Sequence, residues 1–136
     1  MVGFNFLNIV AREKVFKLAI EHDVATQVMH AVRRALSDPQ RLQQIVVQLI
    51  ESGEIDPTDL NPGNSLGFIE LAGESVTDIA YRYCRHEPGV SIVLTGTGNK
   101  DHLAQNVNAI NGGPVPEKIS KALSAIFGSV RSTSAD

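Results

Sequence analysis

The stretch Leu94-Thr95-Gly96-Thr97-Gly98-Asn99-Lys100-Asp101-His102-Leu103 carries the residue types in this chain best suited to binding a charged ligand. Gly96 and Gly98 let the backbone approach a ligand closely, and a helix opening after them presents unpaired N–H groups at its positive end. That combination suits phosphate. Two stricter patterns are not met: Asp101 stands where the dinucleotide fingerprint has its third glycine, and no hydroxyl residue follows Lys100 as in a P-loop. On spacing alone, an anion site and a plain strand-to-helix turn both remain open. His30 is the second candidate, because it ends an apolar run. In a parallel α/β fold ligands sit at the carboxyl ends of strands, so Met29-His30-Ala31 and Thr95-Gly96-Thr97 would share one rim.

Other constellations carry less chemistry. Cys84 and His86 are two apart and cannot face one metal from a regular helix, so no metal site is expected. Glu70, Glu74 and Asp78 could form a carboxylate cluster for acid–base work, but their setting reads as a loop and a capping box. His22 reads as a packed or partly exposed helix residue. No Gly-x-Ser-x-Gly elbow or nucleophilic Cys-His pair is visible, and no catalytic residue is assigned.

These residues must be placed by strands and helices, and the apolar periodicity predicts both. Val2 to Leu7 reads as a Phe-rich strand, with Asn8 capping a helix whose inner face is Val15, Leu18, Ala19 and His22. A second strand is predicted in the apolar run from Asp23 through Val28-Met29, leaving at Arg33-Arg34. Ser37 or Asp38 then caps a helix with Pro39 in its first turn, Leu42, Ile45, Val46, Leu49 and Ile50 on its inner face, and Gly53 as its stop. Glu54 to Gly73, with Pro57, Pro62 and three glycines, reads as an irregular connection holding at most one short element. Ser75 caps the next helix with Asp78 as its capping-box partner, and Val76, Ile79, Ala80, Tyr83 and Cys84 form the stripe. Neither Tyr81 nor Tyr83, both in this pattern, is read as an acid.

Val90 to Leu94 is apolar at most positions, as in a strand covered on both faces. The glycine turn feeds a helix with Leu103, Val107 and Ile110 on one side, ended by Gly112-Gly113-Pro114. Pro116 opens a last helix with Ile119, Ala122, Leu123, Ile126 and Phe127 inward, closed by Gly128. Strands alternating with helices predict βα units and parallel pairing over residues 1–128, with 129–136 as a polar, frayed tail.

With 136 residues, 43% of them hydrophobic, the chain suits one domain. Twelve basic against fifteen acidic residues disfavour a nucleic-acid or anionic-membrane surface. No apolar run approaches the ~18 residues of a membrane span, and the start lacks the basic region of a secretory signal. The single cysteine excludes an internal disulfide framework and fits a reducing, cytoplasmic setting. A complete (β/α)₈ barrel is excluded too, since it takes ~250 residues.

The run from Glu87 to Ile110 resembles the final strand, loop and helix of the aldo/keto reductases. Val2-Gly-Phe-Asn-Phe-Leu-Asn8 looks like the sixth strand of their barrel, and Val24 to Leu36 like the seventh strand and its exit. The resemblance implies the C-terminal half of a TIM barrel and the part of the site that grips the adenosine end of NADP, or of NAD. It assigns Gly96, Thr97, Gly98 and Asn99 to the adenosine phosphate, and Gln105 and Asn106 to the adenine. His102 stands where many members have an arginine against the 2′-phosphate, and His30 and Ala31 fall near the pyrophosphate, without the Ser-Pro-Leu pattern common there. The motifs carrying the family's aspartate, tyrosine, lysine and histidine are not in this sequence, so no reductase activity is expected of the chain alone. A half-barrel would expose strand edges and inner-face apolar residues, with Phe4, Phe6, Ile92 and Leu94 as candidates. A second copy or a complementary N-terminal half would cover them. A module that completes a barrel with another chain is therefore the alternative reading.

Overall fold

Val2–Gly3 (β1), Gln27–Met29 (β2) and Ile92–Val93 (β3) pair as a parallel sheet in the order β1-β2-β3, with Val2 opposite Val28 and Val28 opposite Val93. A computed structural model describes residues 1–60 and 63–133, so Pro62 of the irregular connection and the end of the expected tail lie outside the described residues. Parallel neighbours require crossovers, and helices supply both of them. A π-helical turn, Arg12–Phe16, runs into α1 (Lys17–Glu21) between β1 and β2. Between β2 and β3 come α2 (Arg34–Ser37), α3 (Pro39–Glu51), a 3₁₀ turn at Pro57–Asp59, α4 (Gly67–Leu71) and α5 (Val76–Arg85). After β3 follow α6 (Lys100–Ile110) and α7 (Glu117–Phe127). The chain is thus α/β, with a small parallel sheet and seven α-helices among the described residues.

The helices α3, α5 and α7 form where their caps and stripes predict, whereas α2 occupies a stretch read only as the exit of the second strand. Asp38 accepts from the amides of Gln40 and Arg41, Pro39 fills the first turn of α3, and Gly53 after it takes φ +76°. Ser75 Oγ accepts from Asp78 N, but the Asp78 carboxylate turns to Arg82 instead of completing a capping box. The irregular connection holds two short elements, the 3₁₀ turn and α4, rather than one.

Four expectations of burial are corrected. First, β1 is short: Asn5 and Asn8 pair across a tight turn, so Asn8 caps nothing, and Phe4 and Phe6 swing into the core. There Phe4 packs edge-on to Phe16 at 5.0 Å and Phe6 lies 5.8 Å from Phe127, so neither belongs to an exposed surface. Second, the π turn resets the phase of the first helix. Its inward residues are Ala11 and Phe16, five apart as π geometry requires, and then Ala19, which leaves Val15, Leu18 and His22 outside. Third, α6 turns Asn106 and Ala109 inward and leaves Leu103 and Val107 exposed. Fourth, the tail is docked up to Ser132: Val130 is buried, and the Glu54 carboxylate accepts from the amides of Arg131 and Ser132.

The sheet is covered on one face only. Val28 and Val93 are buried with Phe4 on the inner side, where helices close over them. On the opposite side Gln27 is exposed, Ile92 is 46% exposed, and Leu94 beyond it is 39% exposed. β3 is therefore not buried on both faces as its apolar run predicted.

Candidate functional site

The carboxyl ends of β2 and β3 carry the residues singled out above, and their positions follow from the strand register. Leu94 N still donates to Val28 O at 2.9 Å, and just beyond these paired ends the chain passes into His30 after β2 and Thr95 after β3. Thr95 is fixed from two sides. Its hydroxyl lies 2.8 Å from Tyr81 Oη and accepts from Asn106 Nδ2, also at 2.8 Å. This triad, in which Tyr81 and Asn106 are buried and Thr95 is half-buried, anchors the chain just past β3, which then runs into solvent.

Gly96, Thr97, Gly98 and Asn99 are exposed. Among the described residues no intramolecular acceptor is found for the amides of Gly96, Thr97 and Gly98. A Cβ built on either glycine would meet nothing within 4 Å, so open space stands over the loop. Asn99 is the N-cap of α6: its side-chain oxygen accepts from the amides of Asp101 at 2.8 Å and His102 at 3.3 Å. Thr97 Oγ1 accepts in turn from Asn99 N at 3.1 Å. Asn99 thus satisfies two of the helix's free donors itself, and the donors left for a ligand lie in the loop before it. Asp101 in the first turn adds negative charge there, beside the cation of Lys100.

The other assigned residues divide by exposure. His102 and Gln105 stand in solvent on the first turns of α6, beside the loop. Asn106 is buried and committed to Thr95 through its amide nitrogen. Ala31 is buried, while His30 is exposed and adopts φ +66°. A non-glycine residue in that left-handed region is held there by its surroundings. The Asn5 amide nitrogen donates to His30 O at 2.9 Å.

Of the groups in a nicotinamide dinucleotide, the phosphates are the ones whose acceptors these exposed loop amides could meet, while Asn106 and Ala31 are buried and not free to meet the ligand. Consecutive unpaired amides under open space, next to a helix start, match the donors a phosphate accepts. His102 in the first turn of α6 and Gln105 in the second are exposed polar groups, Gln105 lining a cavity with Ser75 and Thr77.

Sequence reading missed two roles, that of Thr95, which it placed on the rim without one, and that of Asn5. Thr95 anchors the loop through Tyr81, and Asn5 is fully buried and engaged at both ends of its carboxamide, which accepts from the amides of Leu7 and Asn8. The pair of asparagines three apart in Asn5-Phe6-Leu7-Asn8 was the available signal. The carboxylate cluster resolves into scaffolding: Glu74 and Asp78 both bind the Arg82 guanidinium at 2.9–3.0 Å, and Glu70 accepts from Asn64. Burial opposes charge on Arg82, yet those carboxylates hold its pKa above the ordinary arginine value. Arg12 binds both oxygens of Glu87 at 2.6 Å and donates to Tyr83 Oη, which ties the first helical segment to the end of α5. Cys84 is buried with its thiol pKa pushed up by desolvation, and it donates to Phe4 O. Such a thiol is inert.

Among the described residues no group of three or more His, Cys, Asp or Glu could hold a metal ion. No helix of the described residues is long and apolar enough to cross a membrane. Neither a protein-family model nor a curated protein matches this chain.

Proposed function

We propose that this chain is the C-terminal, cofactor-binding portion of an aldo/keto reductase-type barrel, and that the Gly96–Asn99 loop takes the phosphates of NADP, or of NAD. The observation that carries the reading is the row of unpaired amides at Gly96, Thr97 and Gly98, exposed at the carboxyl end of a parallel strand. The one-sided sheet supports the half-barrel architecture, since parallel sheets are ordinarily covered on both faces. In a closed barrel the uncovered side, with Gln27, Ile92 and Leu94, would be interior.

When bound, the nicotinamide ring supplies the hydride. The chain's own part is to hold the dinucleotide: loop amides on the phosphate, Gln105 toward the adenine, and Thr95, Tyr81 and Asn106 keeping the loop's origin fixed. His102 in place of the customary arginine weakens the case for selecting the 2′-phosphate, so NADPH and NADH are compared directly. No group on this rim is placed as a proton donor, and carbonyl turnover by the chain alone is not expected.

Gly96→Val is the clean test. Its backbone lies outside the left-handed region and its Cβ direction is empty, so a valine there leaves the fold intact while filling the space over the loop. NADPH fluorescence titration should show saturable binding to the wild type and at least tenfold weaker binding to Gly96→Val. Equal affinities, or no binding by the wild type, would overturn the assignment.

A second reading rests on the exposed apolar groups beside both sheet edges. Val15, Leu18 and Val24 line a groove of about 350 Å³ next to β1, and Leu103 and Val107 stand exposed on α6, the helix that follows β3. A module that completes its sheet with another chain would present such edges. Sedimentation velocity should then show self-association that Leu18→Lys reduces, and a monodisperse monomer without hydrophobic-dye binding would count against it.

A further inference from the structure

We propose that a second copy of this chain seats its α4 tip, with Leu71 as the knob, in the groove beside β1, so that the chain associates with itself head to tail. The proposal names the occupant of the groove in the second reading and rests on that reading.

Both halves of the contact are present in one chain. The tip is Glu70-Leu71-Ala72, exposed throughout, and Leu71 at 87% is the most exposed large apolar side chain among the described residues. Its presentation is fixed. Gly73 takes φ +77°, Gly73 N donates to Glu70 O at 2.9 Å and Glu74 N to Ile69 O at 3.1 Å, and Ile69 beneath them is fully buried. A knob held in this way gives up little freedom on binding. The groove is the receiving half. The π turn leaves Val15 and Leu18 outside, Val24 joins them, and together they line about 350 Å³ of open space. No residue of the tip lines that space, so the chain does not fill its own groove.

Charge favours this pairing. Lys14 and His22 line the groove, no Asp or Glu does, and neither of those two side chains has an ion pair or hydrogen bond among the described residues. The tip brings the opposite sign: Glu70 beside Leu71 accepts from Asn64 with Oε2 and keeps Oε1 free. Apolar knob and carboxylate thus meet apolar floor and basic rim. Tip and groove are different patches, so the contact is heterologous, and each copy gives its tip to one neighbour while taking another's in its groove.

Complementary variants isolate the two halves. Sedimentation velocity of the wild-type chain over a concentration series should show self-association. Leu71→Lys and Leu18→Lys, both at exposed positions, should keep the wild-type thermal midpoint and each weaken association by about tenfold or more, as expected when a charge enters an apolar contact. An equimolar mixture of the two should form dimers and nothing larger, because one variant retains an intact tip and the other an intact groove. Glu70→Lys should also weaken association, and adding Lys14→Glu in the same chain should restore it. If Leu18→Lys acts while Leu71→Lys associates like wild type, the tip is not the occupant, and the proposal falls while the sheet-completing reading stands. A mixture that stays monomeric overturns it as well. A wild-type chain that is monomeric at every concentration sinks both.

Discussion

Single side chains at chain reversals do much of the fastening in this protein. Glu54, just past α3, accepts from the amides of Arg131 and Ser132 and from the Ser132 and Ser52 hydroxyls. The Ser132 hydroxyl leads the bonds that hold its carboxyl pKa below the ordinary value of 4.5. A lowered folded-state pKa means the carboxylate stabilises the fold above pH 4.5 and loses that contribution as pH falls through the lowered value. Melting of Glu54→Gln should therefore start below wild type at pH 7, and the two should converge toward pH 3. A gap that persists in acid would show that the bonds do not depend on the charge. The carboxylate is solvent-accessible, so the effect is modest. Composition alone made this segment a loose polar tail, because a single buried residue, Val130, and a partner 77 positions away leave no local pattern. Asn5 escaped for a related reason: its bond to His30 joins two strand ends 25 residues apart.

Helices proved more legible than strands. Caps and apolar stripes are written within one turn, so α3, α5 and α7 appear where Asp38, Ser75 and Pro116 place them. Strands of two or three residues are pinned by register with distant neighbours, and β1 ended at Gly3 although Phe4 and Phe6 continue its pattern. Two helix faces were misread. A π turn shifted the phase of the first helix, and α6 turns inward the face that carries Asn106, bonded to Thr95, and Ala109, leaving Leu103 and Val107 exposed. The start of α6 carries a measurable consequence. Asn99→Ala removes the acceptor for two amides and should cost about 1 kcal/mol in chemical denaturation. It also frees the Asp101 and His102 amides toward a ligand, so NADPH affinity should fall by much less than in Gly96→Val. A loss as large as that of Gly96→Val would make Asn99 a direct ligand contact rather than a cap.

At the scale of the whole molecule, a parallel sheet with one face bare sets this chain apart from a closed α/β domain. The parallel α/β class was readable from strand and helix alternation. The bare face was not readable from the apolar run itself, which looks doubly buried whether the covering element is in the chain or elsewhere; Ile92 and Leu94 were expected on an exposed inner face only through the barrel resemblance, and both are exposed. The rim of free amides and the bare face together define the proposal that this is the nucleotide-gripping part of a larger barrel. Amide chemical-shift mapping during an NADPH titration of the wild-type chain tests it most directly. The account predicts that the resonances of Gly96, Thr97 and Gly98 move most, with His30 following, and that the amides lining the β1-edge groove stay in place. Saturation with no shift at the glycine loop, or shifts centred on another part of the surface, would contradict it.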